Sequence, residues 1–238
     1  MKSLLIGRRA LVALVGSVVL LVTLATVAYR VPADAAESPA QDAGAAHHAA
    51  HGDSDVPRTA GQVALHDQLR KLWEDHVTWT RLAIVTFADG SAGFDATAAR
   101  LLSNQTDIGD AIKPYYGEAA GNQLTALLHD HIAIAVELLQ AAKAGNTDAF
   151  NNANARWYAN SDDIADFLAA ANPRWWPDAD MRAAMRTHLD QTLAEAVHEL
   201  TGDHAASVAD YERIHLHILA MADQLSSGIW LQFPGSVH

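Results

Sequence analysis

Three segments of this chain, RLLSNQTDIGDAI from Arg100, RWYANSDDIADFL from Arg156 and RIHLHILAMADQL from Arg213, share one pattern. Each places Asn or His four residues after the Arg and Asp six further on, and the arginines stand 56 and 57 residues apart. The segments that precede them match as well. Leu69 and His76, Leu124 and His131, and Met181 and His188 keep one spacing, and each His lies fourteen residues before Gly90, Gly145 or Gly202. Agreement at several positions with a nearly constant offset is the signature of an internal repeat. It predicts three copies of one helical hairpin.

The apolar period supports helices throughout the repeat region. In QLTALLHDHIAIAVELL, the residues Leu124, Leu127, Leu128, His131, Ala135 and Leu138 follow i, i+3, i+4 spacing, and no stretch alternates as a strand. Breaks near Gly90, Lys113-Pro114, Gly145, Asn172-Pro173 and Gly202 predict six helices. The expected fold is all-α, a bundle of about six helices over residues 59–238 built from three αα-hairpins.

Residues equidistant from the turn of an antiparallel hairpin lie at one height. His76 and Asn104 flank Gly90 by fourteen residues each, His131 and Asn160 flank Gly145 by fourteen and fifteen, and His188 and His217 flank Gly202 in the same way. At 1.5 Å per residue each pair stands about 21 Å from its turn. The repeat histidines also fall on the apolar stripes of their helices, so the pairs form an inward polar layer in mid-bundle. In the first two hairpins His faces Asn, which suits a structural hydrogen bond. In the third, two imidazoles face each other, and that pair makes the better metal site. The candidate ligands are therefore His188 and His217, with a third from His76, His131 or a carboxylate such as Glu195. Zinc, copper or iron would suit them.

Other chemistry-bearing residues have plainer readings. His129 and His215 lie two residues from His131 and His217, so on a helix they point away from the core. Met181 and Met185 have Leu124 and Leu128 as repeat equivalents and read as core. Asp110, Asp166 and Asp223 sit near helix C-termini, where the dipole disfavours negative charge and a cation such as Lys113 or Arg174, or a neighbouring helix N-terminus, must compensate. The loops KPYYG and NPRWWP carry aromatic pairs, Tyr115 with Tyr116 and Trp175 with Trp176, that cap the end of the core or, as the alternative, stack on a sugar ring or another surface. Glu195-Ala-Val-His198 is a single Glu-x-x-His where a ferritin-like centre needs two.

The N-terminus sets the compartment. MKSLLIGRR supplies three positive charges, and Ala10 to Tyr29 runs without any. Residues 1–35 thus read as a signal peptide, with Ala33-Asp34-Ala35 as a cleavage site, or as a membrane anchor helix. Either way the bulk of the chain is expected outside the cytoplasm, anchored or secreted. Residues 36–58 are Ala-, Gly- and His-rich and read as a flexible linker, with His47, His48 and His51 as a loose metal-binding option. The whole chain carries a net charge of −12. Loss of Lys2, Arg8, Arg9, Arg30 and Asp34 would leave −15, a surface that repels nucleic acid. With no cysteine, disulfides, thiolate metal sites and cysteine nucleophiles are excluded.

The segments DHVTWTRL, NQTDIGDAIKPYYG, GNQLTALL, RWYANSDDIADFL, ANPRWWP and HLDQTLAEA resemble a family of small bacterial exported all-helical proteins of unsettled function, often automatically named glycosyltransferase. The resemblance covers residues 66 to 235, implies a helical fold and contributes no catalytic residues. Asp178-Ala-Asp180 is not a nucleotide-sugar motif here, because it opens a helix after Pro177, where acidic residues are expected.

The leading functional expectation is a non-enzymatic binding module of the cell envelope for a transition metal or small ligand. It touches the membrane through residues 1–35 if they are retained. The alternatives are an enzyme using His188 and His217 as acid and base or through a metal, and a structural or protein-interaction bundle.

Overall fold

Each helix start has a local cause. Thr59 accepts a hydrogen bond from the Gln62 amide at 3.1 Å while the Gln62 side chain accepts from the Thr59 amide, a capping box that opens α1, Ala60–Ala88. Asn146 and Asp203 cap α3, Thr147–Ala171, and α5, His204–Gln232, by accepting from Ala149 and Ala206. Between them α4, Asp178–Thr201, follows Pro177 and carries Asp178 and Asp180 in its first turn, where the dipole favours them. It stops at Gly202, whose φ of 82° is the left-handed conformation glycine adopts at little cost. These helices belong to a computed structural model that describes residues 56–237. The expected segment over 1–35, most of the linker and its His47, His48 and His51 lie outside the described residues.

The remaining helix, α2, Phe94–Lys143, corrects one boundary. A break was expected at Lys113-Pro114, yet Pro114 continues the helix and the chain turns at Gly117, with φ 84° and ψ 167°. The two arms then fold back on each other. Thr106 bonds His129 at 3.2 Å across them, and a Cβ on Gly109 would lie 2.6 Å from the Gly121 carbonyl. Two small residues let the arms approach at backbone distance. The described chain is thus five helices with no strand, the second of them bent double. By length and apolarity α2 alone among the described helices could cross a membrane. Here it packs between α1 and α3.

Contacts run in sequence order and then close. Helix α1 meets α2, α2 meets α3, α3 meets α4, α4 meets α5, and α5 returns to α1. Inside the ring, Leu69, Ile108, Ile164, Met181, Leu189, Ile218 and Ile229 are almost wholly buried, each worth about 1.5–3 kcal/mol. Met181 and Met185 are core residues. One end is closed by Trp176, which donates to the Gln224 carbonyl and fits against Gly228, where a Cβ would stand 2.1 Å from its Nε1. Tyr116 and Phe233 pack beside it.

Ion pairs lace the outside of the ring. Lys113 compensates Asp110 at 2.7 Å, as its position suggested. Arg174 does not serve Asp166, because its guanidinium lies over the Trp175 ring. Arg182 of α4 pairs with Asp166 instead, and Arg70 of α1 holds Asp223 at 2.6 Å. Both cations come from the neighbouring helix in the ring.

Candidate functional site

One kind of hydrogen bond recurs between three pairs of helical segments. Asn104 donates to the Leu72 carbonyl at 3.0 Å, Asn160 to Leu127 at 3.1 Å, and His217 Nε2 to Ala184 at 2.9 Å. Each acceptor lies four residues before a repeat histidine, His76, His131 or His188. His217 therefore does on α5 what an asparagine does on α2 and α3.

The three repeat histidines are 3% exposed each and line one cavity of about 50 Å³. The walls of this cavity repeat along the helices. Four residues beyond the histidines stand Thr80, Ala135 and Thr192, and eight beyond stand Ile84, Leu139 and Ala196. The threonine hydroxyls donate to the His76 and His188 carbonyls and so are turned away from the cavity. Val136 and Leu193, half-buried, lie on its outer side. No lining residue is a carboxylate, Lys or Arg. The imidazoles are its main polar groups.

Their protonation follows from burial. Desolvation, with a smaller push from His131, lowers His76 to about 3, and burial lowers His131 to about 4. His188 is held well below its ordinary value by burial and by His76, His131 and His217. All three are neutral at physiological pH.

Their hydrogen bonds also differ. The Asn160 amide nitrogen is spent on Leu127, so its Oδ1 faces His131 Nδ1 at 2.8 Å and accepts the ring N–H. The His131 lone pair is then on Nε2. For His76 the partner is Gln105, not the expected Asn104. Gln105 Nε2 lies 3.1 Å from His76 Nδ1, 2.9 Å from the Leu101 carbonyl and 3.2 Å from Asn104 Oδ1. Three acceptors around one NH2 fix the amide's orientation, so His76 Nδ1 accepts and Nε2 carries the proton. His188 Nδ1 and Trp157 Nε1 are buried without a hydrogen-bond partner among the described residues. Trp157 packs on His131 with ring centroids 5.2 Å apart.

The expected ligand set is rearranged. His188 and His217 do face each other, with ring centroids 6.5 Å apart and planes within 17° of parallel. His217 does not line the cavity, and its Nε2 is committed to Ala184. Glu195 also turns elsewhere. Its carboxylate, 1% exposed, takes a bond from Arg81 at 2.6 Å, and Arg81 also reaches Ser207 Oγ at 3.0 Å. Burial outweighs Arg81 and raises Glu195 to about 7. Among the described residues no group of three or more His, Asp or Glu side chains is arranged to hold a metal ion. What the fold does bring together is His76, His131 and His188, with His76 and His188 ring centroids 5.6 Å apart.

Sequence reasoning missed Gln105 and Arg81. Both interrupt the repeat, since Ser161 and Ile218 stand at the first position in the other hairpins, and Val136 and Leu193 at the second. For Arg81 the available signal was a charged residue where the other segments carry Val136 and Leu193; Gln105, with Ser161 and Ile218 as its equivalents, gave no such contrast. Comparison of the chain with protein-family models, with curated proteins and with solved structures returned no match.

Proposed function

We propose that this chain is an exported, non-enzymatic binding module built from three related hairpins, and that it encloses a small ligand in the cavity beneath its three mid-bundle histidines. The observation that carries this reading is the grouping of three buried, neutral imidazoles from three separate helical segments on the wall of one cavity. A bundle needing only structural hydrogen bonds gains nothing from leaving His188 Nδ1 and Trp157 Nε1 unpaired, which costs about 1–3 kcal/mol each. An acid–base enzyme would use imidazoles titrating near neutrality, whereas these are driven far below it. Export rests on the basic, then apolar N-terminal residues.

Xenon is a suitable first probe of the cavity. The unfolding midpoint of the full-length chain is expected to rise under xenon pressure relative to helium, and Ala196→Val, which adds methyl groups to the wall, is expected to abolish the rise while leaving the helical spectrum intact. An equal response in both proteins would refute the site. A C-terminal alkaline phosphatase fusion is expected to be active in intact bacterial cells, and an inactive fusion would refute export.

A further inference from the structure

We infer that the cavity takes an apolar molecule of about three carbons, which stands in for a side chain that the third hairpin lacks. This rests on the binding reading above and names the class of ligand that would enter.

Eight residues beyond the repeat histidines, the first helical segment of each hairpin carries Ile84, Leu139 and Ala196 in turn. All three are buried and pack together as one apolar cluster, about two turns beyond the imidazoles. Two members of this layer bring branched four-carbon side chains, and the third brings only a methyl group. Alanine is three carbons short of leucine. The cavity lies against that shortfall, with all three residues on its wall. Since roughly 150 Å³ accommodates benzene, its volume of about 50 Å³ accommodates roughly two to four non-hydrogen atoms. The space and the missing carbons agree in size.

The apolar core also divides at this place. The cluster of Ile84, Leu139 and Ala196 is separate from that of Ala83, Leu101 and Ile132, and both are separate from the main core, which holds Leu138 and Trp157. Members of all three clusters line the cavity. A guest there touches each of them and supplies dispersion contacts that the facing walls lack.

The guest's chemistry follows from the wall, which is carbon almost throughout. The Thr80 and Thr192 hydroxyls are committed to the His76 and His188 carbonyls, and His131 Nδ1 is committed to Asn160. His188 Nδ1 and Trp157 Nε1 lack partners, yet neither presents surface to a guest. A buried water holds its place through two to four hydrogen bonds, which such a wall does not supply, and apolar cavities stay dry. A polar guest gives up its bonds to water and recovers none. A hydrocarbon has none to give up.

The test compares two guests of three non-hydrogen atoms, cyclopropane and formamide, on the full-length chain at equal free concentration. Cyclopropane is expected to raise the unfolding midpoint and to move the ¹³C-methyl signals of Ile84, Leu139 and Ala196, and not those of the exposed Leu82 and Leu216. Formamide is expected to do neither. Ala196→Leu restores the missing carbons, and is expected to raise the midpoint without any guest and to lose the response to cyclopropane. An Ala196→Leu chain with a lowered midpoint, or with an undiminished cyclopropane response, would overturn the inference. Equal responses of the native chain to the two guests would overturn it whether or not the variant folds. Xenon entering while cyclopropane moves nothing would retain the binding cavity and remove this ligand class. Entry of neither would remove both.

Discussion

Replacing Asn160 with Ala removes two bonds in the same layer, while replacing His217 with Asn removes none of the equivalent backbone contact. In the first variant the His131 Nδ1 proton loses its acceptor at 2.8 Å and the Leu127 carbonyl loses its donor at 3.1 Å. Asn160 is 7% exposed and His131 3%, so solvent does not replace either partner. An unpaired buried donor costs about 1–3 kcal/mol, and the carbonyl, which keeps its helical bond, adds roughly 1 kcal/mol. The expected loss is about 2–4 kcal/mol. In the second variant an asparagine amide takes over the His217 bond to Ala184, as Asn104 and Asn160 already do for Leu72 and Leu127. Only the stacking on His188 is lost, and the change should stay within about 1 kcal/mol. Urea unfolding followed by far-ultraviolet circular dichroism, with the slope checked for constancy, measures both. Equal losses in the two variants, or a loss below about 1 kcal/mol for Asn160→Ala, would refute the equivalence of the three hairpins.

Acid should destabilise the bundle through its buried imidazoles. With folded values of about 3 and 4 against 6.5 unfolded, His76 and His131 make the unfolded chain bind more protons as pH falls below 6.5, costing about 2 kcal/mol each by pH 5. Glu195 acts the other way. Its folded value of about 7 lies above the unfolded one, so the folded state takes up the proton first and gains about 2–3 kcal/mol between pH 8 and pH 5. Glu195→Gln should therefore steepen the loss of stability between pH 8 and pH 5, and an unchanged slope would contradict the assignment. Gly117→Ala should cost about 1–2 kcal/mol in urea unfolding, since an L-residue is strained at a φ of 84°. A neutral result would place the turn elsewhere.

The spacing pattern in the sequence made the burial of His76, His131 and His188 legible, because each falls on the apolar stripe of its helix. His76, His131 and His188 could be grouped on that basis, and of the expected side-chain pairs His131–Asn160 forms, whereas the bonds of Asn104, Asn160 and His217 to backbone carbonyls were not foreseen. What a repeat cannot convey is where it is broken. Gln105 decides the His76 tautomer, and Arg81 takes Glu195 away from the layer, yet neither has a counterpart in the other hairpins. For His188 and His217 height alone did not convey ring orientation or that His217 Nε2 bonds the Ala184 carbonyl. Pro114 misled for a related reason. Proline removes a donor and crowds the preceding turn, but the reversal itself needed the positive φ that Gly117 supplies three residues later.

Diffraction from crystals of the full-length chain held under xenon pressure tests the binding cavity most directly. The account predicts one xenon peak in mid-bundle, in van der Waals contact with Ile84, Leu139 and the rings of His76, His131 and His188, and no such peak in Ala196→Val crystals treated alike. Xenon bound only outside the helical ring, with the three imidazoles closed on one another, would contradict it.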